Sequence, residues 1–121
     1  MIGGISQRDD IESIRSVIHQ VRAKKPDTEF LLMTGPFGNY DPRKDEHWRD
    51  TINPESDTYE ARLMKLAAEE KCEFFDMRGA WGAYIRDSRW AMGAFKRDRV
   101  HANDRGKQIL GRLLEAYFSP K

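Results

Sequence analysis

The stretch Lys96–Phe118 reads KRDRVHANDRGKQILGRLLEAYF, and how it divides decides the fold. Its second half is a helix by periodicity: Ile109, Leu110, Leu113, Leu114 and Tyr117 recur at three- and four-residue steps and mark one buried face. Asn103 and Asp104 stand just ahead of it as start residues, because a short polar side chain accepts a backbone N–H that the first turn leaves unpaired. Before them, Asp98 lies three residues ahead of His101 in a polar run. A carboxylate and an imidazole held ahead of a helix docked on a core make a rigid acid–base pair.

Moving back along the chain, Gly79–Phe95 mixes small residues with Trp81, Tyr84, Trp90 and Phe95. It reads as a short helix and an irregular segment whose aromatics are core or line an apolar pocket. Glu73–Met77 (EFFDM) is a short strand with Asp76 at its carboxyl end. Asp76 caps the following turn or serves a site, and capping is the preferred reading. Asn53-Pro54 opens a helix to about Lys71 that buries Tyr59, Leu63, Leu66 and Ala67 and ends on exposed charges. Cys72, the one cysteine, follows as a buried structural thiol; being alone, it excludes an intrachain disulfide and a cysteine-based zinc site.

Glu29–Thr34 (EFLLMT) is the kind of apolar run found in a strand buried on both faces of a parallel sheet. It ends at Gly35-Pro36 and a polar loop follows to Ile52. In open α/β sheets ligands sit outside the carboxyl ends of the strands, so Phe37–Asp50 is a candidate wall of a site. Asp45, His47, Trp48 and Asp50 lie in it; an Asp-x-His cluster suits a metal, and a solvated charged loop is the plainer reading. A first helix runs from a cap at Asp9 or Asp10 through about Lys24, burying Ile11, Ile14, Val17, Ile18 and Val21, with His19 solvated near its polar side. Met1–Arg8 is a loop in which Gly3-Gly4 permits unusual backbone angles.

The composition of these 121 residues fits one soluble globular domain: 39% hydrophobic and 34% charged, enough apolar content for a modest core. The net charge of +1 gives no global field toward nucleic acid or an anionic membrane. The basic cluster Lys96, Arg97, Arg99, Arg105, Lys107 and Arg112 is broken by Asp98, Asp104 and Glu115 and reads as a solvated face rather than a nucleic-acid patch. No apolar run is long enough to span a bilayer, and the first ten residues lack the pattern of a signal peptide. Only two strands are visible. A parallel pair does not bury its own faces, so the sequence predicts a domain incomplete at its N-terminus, completed by another segment or by a second copy.

Asp98-x-x-His101 suits the activation of a nucleophile. The carboxylate accepts from one ring nitrogen and fixes the tautomer, leaving the other to take a serine proton. The block Asp98–Gly106, with its apolar helix, resembles the last conserved block of the SGNH/GDSL hydrolases, in which Asp-x-x-His carries two members of the catalytic triad. Gly3-Gly4, the helix with Arg15, Pro26 and the strand Phe30–Thr34 are similar to the region after that family's Gly-x-Asn block. The strand with Asp76 is similar to its last sheet strand.

The resemblance implies a three-layer α/β/α parallel sheet (flavodoxin-like), no metal or organic cofactor, and ester substrates ranging from acetylated sugars to lipid and thioester acyl groups. It assigns His101 as general base and Asp98 as its orienting acid. The family's Gly-Asp-Ser nucleophile block does not occur in these residues, and where its oxyanion-hole asparagine is expected the chain has Met1-Ile2-Gly3-Gly4. The chain is therefore expected to match the C-terminal portion of such a domain and to be inactive alone. Gly3 and Gly4 remain oxyanion-loop candidates, and Ser6 is the least unfavourable local nucleophile among Ser6, Ser13, Ser16, Ser56, Ser88 and Ser119. The alternative is a non-catalytic interaction module that dimerises or pairs with another chain to complete its sheet.

Overall fold

A computed structural model describes residues 7–35, 41–44, 55, 57–98 and 101–119. The order of elements is α1 (Gln7–Lys24), β1 (Leu31–Met33), α2 (Tyr59–Glu69), β2 (Glu73–Phe75), α3 (Met77–Asp87), a 3₁₀ turn (Met92–Phe95) and α4 (Asp104–Phe118). The strands are neighbours in a two-stranded sheet. The Glu73 N–H donates to the Phe30 carbonyl and the Thr34 N–H to the Phe75 carbonyl, so both chains advance in the same direction and the pair is parallel. The architecture is α/β.

The described chain falls into two compact units. The first holds α1, β1 and α2 with Glu73 and Phe74; the second holds Thr34, Gly35, residues 41–44 and everything from Phe75 onward. In the first, Ile11, Leu63 and Leu66 form the centre, and Ile14, Leu32, Tyr59 and Phe74 pack against them. Burial, joined by the Asp10 carboxylate, pushes the Tyr59 phenol up to about 12. The predicted stripe of α1 is present, with one correction. Val17 is 55% exposed and is not among the residues packed on the Ile11–Leu63–Leu66 centre.

Charge explains the other side of α1. Glu12, Arg15, His19 and Arg22 recur at helical spacing, and three of the four reach the carboxyl end of α2. Arg15 divides its guanidinium between Glu70 (2.6 Å), Glu69 (2.8 Å) and Glu12 (3.3 Å). His19 Nε2 is 2.5 Å from Glu70 Oε1, and Arg22 donates to the Glu70 carbonyl at 2.6 Å. The expected solvated histidine is thus exposed but held. Its hydrogen bond, opposed by burial and helped by Arg15, keeps the Glu70 carboxyl below the usual carboxylate range.

Two boundaries differ from expectation. Helix α1 begins at Gln7, so Asp9 and Asp10 lie in its first turn, where carboxylates favour the positive end of the helix dipole, rather than at the cap. Helix α2 begins at Tyr59, capped by the Thr58 hydroxyl accepting from the Ala61 N–H, while Asn53 and Pro54 lie outside the described residues. Its other end is a Schellman closure: the Cys72 N–H reaches the Ala67 carbonyl and the Lys71 N–H the Ala68 carbonyl, with Lys71 at φ 55°. Cys72 is only half-buried, its sulfur beside the Glu70 carbonyl and the Arg22 guanidinium.

The second unit is built on Trp81, Ile85 and Phe95, with Ala94, Ile109, Leu110 and Leu113 packed around them. Trp81 is fully buried and meets Phe95 edge-to-face at 5.8 Å; fully burying each such side chain stabilises by roughly 2–3 kcal/mol. Helix α4 lays its predicted face here, each residue of it half-buried, with Tyr117 against Phe75 at 4.8 Å. Pro42 is buried nearby: Arg86 donates to its carbonyl at 2.6 Å, and Arg43 donates to the Ser88 carbonyl.

Candidate active site

Between the 3₁₀ turn and α4, the described residues on either side of 99–100 are joined as a stem. Lys96 and Ala102 form an antiparallel bridge. The Arg97 N–H donates to the His101 carbonyl at 2.9 Å, and the Asn103 N–H to the Phe95 carbonyl at 3.1 Å. Asn103 then fastens the stem with its side chain. Its Oδ1 accepts the Gly106 N–H at 2.9 Å as the cap of α4, and its Nδ2 donates to the Ala94 carbonyl at 2.8 Å. The cap was legible in the sequence. The second bond was not, since it depends on a carbonyl nine residues away.

Gly106 has a packing role. A Cβ there would stand 2.2 Å from the Phe95 carbonyl oxygen and 3.1 Å from the Ala102 side chain. Only a residue without a side chain lets α4 start this close to the 3₁₀ turn.

At the tip of the loop the Asp98 carboxylate faces His101 in three ways. Oδ1 accepts the His101 backbone N–H at 2.8 Å, and Nδ1 of the ring lies 2.9 Å from Oδ1 and 2.8 Å from Oδ2. The backbone bond fixes the carboxylate, and the carboxylate fixes the ring. A carboxylate accepts only, so the neutral imidazole carries its proton on Nδ1 and leaves a lone pair on Nε2. Arg97 Nε approaches Asp98 Oδ2 at 3.8 Å, too long for a hydrogen bond. The His101 side chain is 57% exposed, so Nε2 is open to a proton donor from outside the loop.

Asp76 corrects a second expectation. It occupies the cap position of α3, yet its side chain makes no capping bond. Instead Oδ1 accepts the Thr34 hydroxyl at 2.8 Å, and the Thr34 Oγ1 accepts the Arg78 N–H at 2.9 Å. Thr34, almost wholly buried, does the capping by proxy and is itself tied to the start of α3. The Asp76 carboxylate occupies the space a side chain at Gly79 would fill. The sequence offered no signal for this beyond a threonine at a strand end.

Gly3, Gly4 and Ser6 lie outside the described residues, as do Asp45, His47, Trp48, Asp50 and Ser56. Ser13 donates to the Asp9 carbonyl, Ser119 to the Glu115 carbonyl, and Ser88 accepts from the Trp90 N–H. Among the described residues no serine is hydrogen-bonded to His101, and no group of three or more His, Cys, Asp or Glu side chains stands together as a metal site. No helix among them is long and apolar enough to cross a membrane. Of the aromatics expected near the strand ends, Trp81 and Phe95 are core, while Tyr84 and Trp90 are exposed.

Searches against curated proteins and against solved structures found no match. A family model, that of the GDSL-like Lipase/Acylhydrolase family, matches residues 2–109, a span that takes in both strands, the Asp98–His101 loop and the start of α4. The α/β order and the loop that closes on that pair agree with the match, and the chain belongs to the GDSL-like Lipase/Acylhydrolase family.

Proposed function

We propose that these 121 residues are the C-terminal portion of a three-layer α/β/α ester hydrolase of SGNH type, contributing its general base and the acid that orients it. Membership of an acylhydrolase family gives the hydrolase ancestry. The observation that carries the catalytic assignment is the Asp98 carboxylate on His101 Nδ1 at 2.8 Å, locked from behind by the His101 backbone N–H. In this reading Nε2 of His101 takes the proton from a serine hydroxyl supplied from outside the 121 residues. The serine oxygen bonds to the ester carbonyl carbon, the imidazolium returns the proton to the leaving alcohol, and the acyl-enzyme is opened by a water that His101 deprotonates. Asp98 stabilises the imidazolium without accepting its proton. The substrate is a small-molecule, carbohydrate or lipid ester.

The test is hydrolysis of p-nitrophenyl acetate by the purified chain beside His101→Ala, Asp98→Asn and Ser6→Ala. No turnover by any of the four supports an external nucleophile. Turnover lost in both His101→Ala and Ser6→Ala places the nucleophile at Ser6. Turnover that survives His101→Ala overturns the assignment of the base.

One observation favours a second reading, that of a non-catalytic module which dimerises or pairs with another chain. Ile109, Leu110, Leu113, Leu114 and Tyr117 are all only half-buried, and Phe118 is 65% exposed. A concentration-dependent dimer in light scattering, without esterase activity after any complementation, supports that module.

A further inference from the structure

On α4, Gln108 and Ile109 lie three and four residues after Arg105 and four and three before Arg112, so the four side chains share one stripe of the helix. That stripe is one wall of an open cavity of about 260 Å³, which Tyr84 and Trp90 also line. Trp90 is 59% exposed, unusual for so large an apolar ring, and the Arg105 guanidinium lies over it at 4.9 Å from the ring centre. Attraction between the cation and the ring face favours this position of Arg105 and leaves its N–H groups able to donate.

Among the described residues no carboxylate lines the cavity, and neither Arg105 nor Arg112 has an ion-pair partner. Two guanidiniums on one wall attract an anion and can each donate a charge-assisted hydrogen bond to it. The Gln108 amide between them adds a neutral donor and acceptor. The volume is just below the range of about 300–1,000 Å³ usual for drug-sized ligands, which restricts the occupant to a small molecule. Neither Asp98 nor His101 lines this cavity, so the site is separate from the acid–base pair and does not depend on its catalytic role.

We propose that this cavity binds a small organic anion, its flat apolar body along Trp90 and Tyr84 and its phosphate or carboxylate on Arg105 and Arg112.

The test is calorimetric titration of the 121-residue chain, at low and at moderate salt, with naphthyl phosphate, naphthoate and neutral naphthylmethanol. None of these carries an acyl ester, so the result is independent of hydrolysis. Saturable binding of an anion is expected, with naphthylmethanol about tenfold weaker and Arg105→Gln or Arg112→Gln each weakening the anion by about tenfold. Trp90→Ala weakens all three probes, and added salt weakens the anions alone. Tighter naphthyl phosphate assigns a phosphorylated ligand; tighter naphthoate assigns a carboxylic acid. Arg105, Arg112 and Trp90 are exposed, so the variants fold, as circular dichroism would verify. Equal affinity for the neutral probe, unchanged affinity in both arginine variants, or no binding at all overturns the proposal.

Discussion

Gly106 sits so close beneath Phe95 that the carbonyl oxygen of the latter occupies the place of its missing side chain, 2.2 Å from where a Cβ would be. In an exposed helix Gly→Ala gains about 1 kcal/mol of propensity. Here the obstacle is backbone, which has no rotamer to yield, and overpacking of that kind costs about 1–3 kcal/mol. Displacing the first turn also breaks the Asn103 cap, worth about 1 kcal/mol. Gly106→Ala is therefore expected to destabilise by about 2 kcal/mol net, read as a lowered midpoint in urea. An unchanged or raised midpoint would show that α4 shifts freely against the 3₁₀ turn.

Asp98 holds the proton of His101 on Nδ1. In a long-range proton–nitrogen spectrum of the neutral ring, the native chain should show the single tautomer with Nε2 unprotonated. Asp98→Asn, which offers a donor where there was only an acceptor, should mix or invert the two forms. Both side chains are largely exposed, so stability should move by less than about 0.5 kcal/mol. If the chain serves the ester hydrolase proposed above, the same change should lower kcat by about four orders of magnitude, as a misplaced tautomer does in other triads.

Thr34 carries two bonds on one buried oxygen, donating to Asp76 and accepting from the Arg78 amide. Thr34→Val keeps the volume and removes both. The buried groups left behind cost about 1–3 kcal/mol in total, against a small gain in strand preference. Thr34→Ser, which retains the hydroxyl and drops only the methyl, should lose less in chemical denaturation; a larger loss in Thr34→Ser than in Thr34→Val would assign the stability to the methyl group instead.

Glu70 binds α1 to the end of α2, and its carboxyl titrates lower when folded than the ordinary glutamate value of 4.5. The unfolded chain takes up that proton first. The contribution is therefore complete above the ordinary value and is lost as pH falls from there through the folded value. Unfolding free energies measured along a descending pH series should decline more steeply in the native chain than in Glu70→Gln. Parallel curves would show that His19 and Arg15 do not favour the charged form.

Lys71 takes a backbone angle that glycine adopts without penalty, φ 55° at the Schellman position. Lys71→Gly should raise stability by about 0.5–1 kcal/mol, the left-handed strain removed outweighing the entropy glycine adds to the unfolded chain. A lowered melting temperature would mean that the lysine side chain makes up for its strain elsewhere.

What the sequence revealed and what it withheld differ in range. Helices α1 and α4 were legible because an amphipathic repeat is a local signal, and Asn103 announced a helix start three residues before the amide it caps. Asp98 and His101 were legible as a pair because a loop of that length brings position i to position i+3 almost unaided. The errors came where a distant partner outbid the local one. Asp76 looks like a cap until Thr34, forty-two residues earlier, takes its carboxylate. His19 looks solvated until Glu70, fifty-one residues later, meets it. Val17 fits the apolar repeat of α1, but periodicity names a face without saying whether a neighbour covers all of it. Gly106 gave no hint, since nothing in a helical pattern says that a carbonyl from another segment will press against one residue.

The stem between Ala94 and Gly106 has a consequence for how the pair is positioned. Asp98 and His101 come from one short contiguous stretch, and the Lys96–Ala102 bridge and the double grip of Asn103 join residues of that stretch to one another. A change of length upstream of Ala94 that keeps the Trp81–Phe95 packing leaves those bonds, and with them the carboxylate-to-imidazole spacing, in place. The distance between the two side chains is thus set by neighbours in sequence, and the rest of the scaffold sets only where the pair is presented.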